Sequence, residues 1–332
     1  MKKTLYVLFF FLLTQIGLFA ISFNSVSTKY NDEIDRKLRM EINSKTSSIS
    51  KLFQEKNTLE LKKQMTSEFS QKIRNIDMFI NQVSGVFNID DLKVANEYFT
   101  TVKTIGTNNV YTILPPNDKS LIVNGMKIDE KSYIQFLVSK AQGVQNLVFL
   151  QYVNQNKEWK LNLISGGKYS YLYKQSPDLI NLSKDYYSKK EYISSALYAL
   201  SAYQLMRPTS FLQYKNEQDY MKIIQESLVP VGKIFKLPKK LNGNNVTLFK
   251  IDVNGFQNGI VPIIKYATNI SLDDKEKIKN EVTKISKEIF QIAPDLKTNF
   301  KTIIFQASSE ITSDPNKQYR IYNTILENGI VK

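Results

Sequence analysis

Ile34, Leu38 and Ile42 recur at four-residue spacing, and Ile49, Leu52 and Phe53 carry the same stripe onward. Apolar residues at that period line one face of an amphipathic helix. After "EKNT", Leu61, Met65, Phe69, Ile73, Ile76 and Ile80 predict a longer helix, stopped at Gly85. From Ala95 to Ile164 the pattern changes to runs rich in Tyr, Phe, Val and Thr, which predict strands. "NVYTILPPND" ends in a Pro-Pro breaker, and "SLIVNGMKI" carries a turn at Asn124-Gly125. One helix is expected to interrupt the strands, from about Glu130 to Gln142. The clearest hairpin is "NLVFLQYVNQNKEWKLNLIS", two β-rich runs around the polar turn Asn154 to Lys157.

Farther on, "LINLSKDYYSKKEYISSALYALSAYQLMRP" reads as two helices joined at "SKKEY" and ended by Pro208, with a third helix from Asn216 to Leu228. A connector follows from Pro230 to Asn245. "VTLFKIDV" and "GIVPIIKYATNI" then alternate like paired strands. Ser271 or Asp273 caps a helix carrying Ile278, Val282, Ile285 and Ile289 on one face. "FKTIIFQAS" predicts another strand and "DPNKQYRIYNTILENG" a last helix, giving ββαβα. The predicted fold class is α+β: helices with a curled antiparallel sheet, a helical hairpin, and a small C-terminal α/β sandwich. In numbers the chain divides into 1–22 (signal peptide), 23–43 (helical lead), 44–170 (α+β), 171–229 (helical), 230–245 (connector) and 246–332 (ββαβα).

Two of these units resemble known families. Helices followed by a curled sheet closing on "EWKLNLI" resemble the cone-shaped NTF2-like fold over about 44–167, on element order and the Tyr-turn-Trp-Lys-Leu hairpin. That resemblance implies a pocket between sheet and helices, with Tyr111, Tyr152 and Trp159 as candidate lining. The same aromatic residues also suit a plain core. The stretch over about 177–210 resembles one tetratricopeptide helical hairpin. Leu179, Leu182 and Ser183 fill the first-helix positions, and Ser195, Ala199 and Ala202 supply the small residues of the second. Lys190 stands where that family has a turn glycine. A single copy implies a cap or bridge to a neighbouring unit, because a binding groove needs stacked repeats.

The N-terminal "MKKTLYVLFFFLLTQIGLFAIS" pairs Lys2 and Lys3 with an apolar run, and places Ala20 and Ser22 at −3 and −1 before Phe23. This is a secretory signal pattern. The rival reading is an uncleaved anchor, since Thr4 to Phe23 is just long enough to span a bilayer. The expected location is therefore exported, periplasmic or extracellular, with tethering through the N-terminus as the alternative. Net charge is +14, and 40 of the 45 basic side chains are Lys. A nucleic-acid reader would favour Arg, so no nucleic acid is expected as a partner. The densest basic cluster, Lys233, Lys236, Lys239 and Lys240, is a candidate contact for an anionic surface, although a solvated loop before a strand is the favoured reading.

The chain has neither His nor Cys. Zinc sites of Cys and His, thiol nucleophiles and Ser-His-Asp triads are thereby excluded. "LISGGKYS" fails as a phosphate loop: Asn162 stands five before Gly167, and Tyr169 follows Lys168. Gly166-Gly167 is expected instead to end the hairpin's second strand. Asp273, Asp274 and Glu276 lack the spacing of a calcium loop and suit a helix start. No metal site or cofactor motif emerges. Asp252 and Glu310, at the ends of predicted strands, are the candidate catalytic carboxylates for a hydrolase acting on an envelope polysaccharide, which needs two acids about 5–10 Å apart. The favoured expectation is an envelope binding or assembly module without catalysis, its partner an envelope protein or small ligand. A membrane-anchored structural subunit is a further alternative.

Overall fold

The computed structural model describes residues 26–332, except 86, 103–109, 114–120, 128–130, 210–211, 242–245, 258 and 312–316. The expected signal segment thus lies outside the described residues. The fold is α+β. Its first unit is a five-stranded antiparallel sheet in the order β1-β2-β5-β6-β7, formed by Val26–Tyr30, Leu92–Val102, Lys131–Ser139, Val144–Gln155 and Glu158–Tyr171. A small second sheet joins β3 (Val110–Ile113), β4 (Leu121–Lys127) and β8 (Leu212–Tyr214).

On one face of the first sheet lie α1 (Arg36–Gln54), α2 (Thr58–Gln64), α3 (Ser67–Lys72) and α4 (Ile76–Ser84). The long helix expected across Leu61–Ile80 is three short ones. Asn57, Thr66 and Asn75 each accept a hydrogen bond from a backbone amide three residues on, so three N-caps restart the chain. The helical lead expected over 23–43 opens instead with strand β1, which pairs with β2, and α1 runs across the 43/44 boundary.

The helix expected over 130–142 is strand β5. Tyr133 and Leu137 pack toward α1–α4, while Ile134, Phe136 and Val138 pack the other way. A strand buried on both faces has a continuous apolar run, which periodicity alone does not separate from a helix. Gly166-Gly167 likewise do not end the strand: β7 continues to Tyr171. Side chains are barred there for another reason. A Cβ on Gly166 would meet the Leu147 carbonyl oxygen at 2.5 Å, and one on Gly167 the Pro208 carbonyl oxygen at 2.4 Å.

The second face of the sheet is covered by α5 (Ser176–Ser188), α6 (Tyr192–Leu205) and α7 (Glu217–Phe235). These include the expected helical hairpin, with Leu179, Ser183, Ser195, Ala199 and Ala202 all buried. Lys190 adopts φ +63° in its turn, the left-handed conformation that a glycine takes without cost. The Ser183, Ser195 and Ser227 hydroxyls meet where the three helices cross, Ser183 lying 3.2 Å from Ser195 and 3.0 Å from Ser227. The expected connector does not begin at Pro230, because α7 runs through that proline to Phe235.

The C-terminal unit is a six-stranded sheet, β14-β13-β12-β11-β10-β9. Its strands are β9 (Lys239–Lys240), β10 (Thr247–Phe256), β11 (Gly259–Ala267), β12 (Thr302–Ser308), β13 (Ile321–Glu327) and β14 (Ile330–Val331), with α8 (Lys275–Ile292) and α9 (Pro294–Asn299) before β12. The expected last helix is therefore strand β13. Ile321 and Ile325, like Tyr322 and Leu326, are four apart, and an even spacing keeps residues on one face of a strand as well as of a helix.

Helix α6 joins the units. Ala199, Ala202 and Leu205 belong to the core under the first sheet, whereas Ile193 and Leu197 belong to the core under the second. A second junction forms where Tyr171 lies against Gly255. A Cβ there would fall 2.1 Å from the Tyr171 ring, and the Tyr171 hydroxyl donates to Gln204 Oε1 at 2.7 Å. Replacing Gly255 by Val is expected to destabilise the fold by about 1–3 kcal/mol through overpacking, read as a lower midpoint in urea unfolding.

Candidate functional site

The NTF2-like resemblance pointed to the space between the first sheet and its helices, and around Tyr152 and Trp159 that space is filled. Tyr152 is fully buried, and its hydroxyl sits 2.9 Å from Thr46 Oγ1. Trp159 packs edge-on to Tyr133 and Phe99. Tyr111 belongs to β3, and its side chain lies outside the described residues. Tyr152 and Trp159 are core residues rather than the walls of an open pocket.

Beside them lies a polar network that the sequence pattern did not single out. Glu97, 1% exposed, accepts from Arg39 Nε at 2.8 Å, the Tyr133 hydroxyl at 2.8 Å and Gln135 Nε2 at 3.0 Å. Gln135 also donates to Asn43 Oδ1 at 2.7 Å and accepts from Thr46 at 2.5 Å. Burial and the neighbouring carboxylate push the Tyr133 phenol well above its ordinary range. The one sequence signal was a lone Glu in the otherwise strand-like "NEYFTTV". With these partners in place Glu97 anchors α1 to the sheet. Glu97→Ala strips acceptors from Tyr133 and Gln135, and is expected to cost about 1–3 kcal/mol in chemical denaturation.

The two candidate catalytic carboxylates are kept apart. Asp252 pairs across β11 with Ile263, which pairs with Ile304 of β12. Ser308 is already four residues beyond Ile304, and Glu310 follows it. Two strand spacings and four strand residues put the Asp252 and Ser308 backbones on the order of 15 Å apart. Each acid is also engaged: Asp252 with Lys250 at 2.9 Å and Lys265 at 3.3 Å, Glu310 with Lys317 at 2.6 Å. Burial raises the Asp252 carboxyl, but the two ammonium groups outweigh it and hold the group below its usual range. Asp274 caps α8 through Lys277 N, and Asp273 is bound by Arg320. The basic cluster is not one loop. Lys233 lies in the last turn of α7, Lys236 caps it at φ +45°, and Lys239 and Lys240 form the edge strand β9, where lysines discourage further pairing.

Glu281 of α8 is the other buried acid to consider. It accepts from Thr268 Oγ1 at 3.0 Å, while its Oε2 is buried against the Tyr266 hydroxyl. Burial raises its pKa above 4.5. The folded chain therefore holds that proton more tightly than the unfolded one, and this contribution to stability is lost as pH rises past 4.5. Glu281→Gln is expected to melt at a higher temperature than the parent at pH 7, with the difference fading toward pH 4.

Beside the first sheet the described residues form an apolar cleft of about 250 Å³ between α4 and strands β6 and β7. Phe79, Val83, Phe87, Leu147 and Ile164 form its walls, and Gln82, Asn146 and Ser165 supply polar groups. Phe53 stacks edge-on against Phe79 and Phe87 and fixes them in place. Gly166 and Gly167 also line the cleft, so bare backbone borders it. β7 is the sheet's edge: among the described residues its only pairing besides β6 and its own turn is a bridge between Leu161 and Met65.

The chain matches no known family model, no curated protein and no solved structure. Among the described residues no helix is long and apolar enough to cross a membrane.

Proposed function

We propose that this chain is a non-catalytic binding protein of the cell envelope that captures an extended polypeptide along the outer edge of β7. The observation that carries this reading is the conjunction at Leu163–Gly167: an edge with no second strand among the described residues, beside an apolar cleft. Strand addition draws affinity from main-chain hydrogen bonds and selectivity from pockets for alternate side chains. A cleft of about 250 Å³ suits one aliphatic or aromatic side chain and falls short of the 300–1,000 Å³ usual for small-molecule sites. Export rests on the signal pattern of residues 1–22. α6 makes the C-terminal unit one body with this site, the arrangement expected of an assembly module.

Native mass spectrometry of the protein taken gently from its own envelope fraction tests the reading. The expected result is a polypeptide adduct that falls at least tenfold in Val83→Trp, which fills the cleft, with thermal unfolding unaltered. An adduct that persists undiminished in the variant, or no adduct on the parent, overturns it.

A further inference from the structure

Three turns converge at the end of the first sheet. The β6-proximal Gly143 packs on the β10–β11 hairpin, where a Cβ would come 2.3 Å from Gln257 Cα. The turn Tyr171–Lys174 joins both: Leu172 N donates to Gly143 O at 2.7 Å, and Leu172 Cδ1 lies 3.1 Å from where Gly259 would carry a Cβ. Gly259 pairs with Phe256, the last residue of β10.

The residues at this tip are the wrong ones for a turn that serves only to reverse the chain. Leu172 and Tyr173 have φ +48° and +64°, and Tyr171 and Lys174 exchange both backbone hydrogen bonds across them. Two left-handed residues in succession make the turn that Asn-Gly fills best. A branched aliphatic and an aromatic side chain are strained in that conformation, and both are left in solvent, Leu172 at 42% and Tyr173 at 59% exposure. Phe256 beside them is 40% exposed. Strain held at an exposed apolar tip points to a role for the side chains themselves.

We propose that Leu172, Tyr173 and Phe256 form an insertion tip by which the protein contacts the interfacial zone of an anionic lipid bilayer. Size favours lipid over a protein partner. The three side chains expose on the order of 300 Å² together, against about 800 Å² per side for a stable protein interface. Tyrosine suits the headgroup level, with its ring in the apolar boundary and its hydroxyl in water. Charge agrees. Lys140, Lys168 and Lys174 sit at this end and form no salt bridge among the described residues, Lys168 being held by Asn254 Oδ1 at 3.0 Å, two residues before Phe256. Acids nearby include Asp90 and Asp91, whose backbone carbonyls accept from Lys140, and Asp178, whose carboxylate accepts from Gln175 N at 3.1 Å. The whole chain carries +14 toward an anionic surface.

The test uses a reporter local to the turn, so that lipid binding by the N-terminal apolar segment does not interfere. Full-length Tyr173→Trp is mixed with vesicles of phosphatidylglycerol and phosphatidylcholine. Its emission is expected to shift to the blue and to be quenched by lipids labelled near the headgroup, and the shift is expected to weaken in pure phosphatidylcholine. Adding Leu172→Asn is expected to reduce the vesicle affinity read this way at least fivefold. Leu172→Asn with Tyr173→Gly is expected to raise the melting temperature, since Asn-Gly relieves the turn. Unchanged emission on vesicles overturns the proposal. So does a lowered melting temperature for the Asn-Gly variant, which would make the two side chains packing elements, or concentration-dependent self-association that buries the introduced indole against a second copy.

Discussion

The arrangement depends on one helix having no polar face. Over Tyr192–Leu205 the buried positions include Ile193, Ala196, Leu197, Ala199, Ala202 and Leu205, and they look outward in more than one direction. A helix apolar all round is stable only when surrounded. Here the first sheet takes one side and the C-terminal sheet the other, so neither unit completes its core without the segment between them. Polar contacts fix the seating: Ser194 N donates to Asp295 Oδ2 at 2.8 Å, and Gln204 Nε2 to Val253 O at 2.9 Å. Both ends of α6 are thereby tied to the C-terminal unit.

The same constraint shapes the proposed peptide site. With α1–α4 on one face of the first sheet and α5–α7 on the other, both faces are covered, and exposed backbone is confined to an edge. β1, the opposite edge, spans five of the described residues, whereas β7 spans fourteen. The longer edge carries the two glycines and the cleft. Packing therefore directs any added strand to β7.

Much of the fold was legible because local chemistry and tertiary context agreed. The β6–β7 hairpin was announced by its alternating runs, and Asn156 and Lys157 take the left-handed turn conformations between them. The small residues of the α5–α6 hairpin marked a close helix contact. The failures share one cause. In β5 and β13 the apolar residues stand at spacings compatible with either period, and burial of both faces removed the alternation that identifies a strand in β5. The site was less legible still. Glu97 gains its meaning from Arg39 and Tyr133, which are distant in sequence. The cleft is assembled from α4, β6 and β7, and Gly166-Gly167 read as a strand ending because their neighbours, Leu147 and Pro208, come from elsewhere in the chain.

The serine cluster at the α5–α6–α7 crossing carries a consequence of its own. Apolar helix faces tolerate sliding, since one methyl group substitutes for another. Three hydroxyls do not: Ser195 donates to the Ser183 carbonyl at 2.9 Å, and the Ser183 hydroxyl lies 3.0 Å from that of Ser227, so the helices meet at one height. A shift of any helix by one turn would move its hydroxyl about 5.4 Å and leave the others stranded in a dry interior. The cluster works as a vernier mark: it adds little cohesion but permits a single alignment, and through α6 that alignment sets the angle between the two sheets.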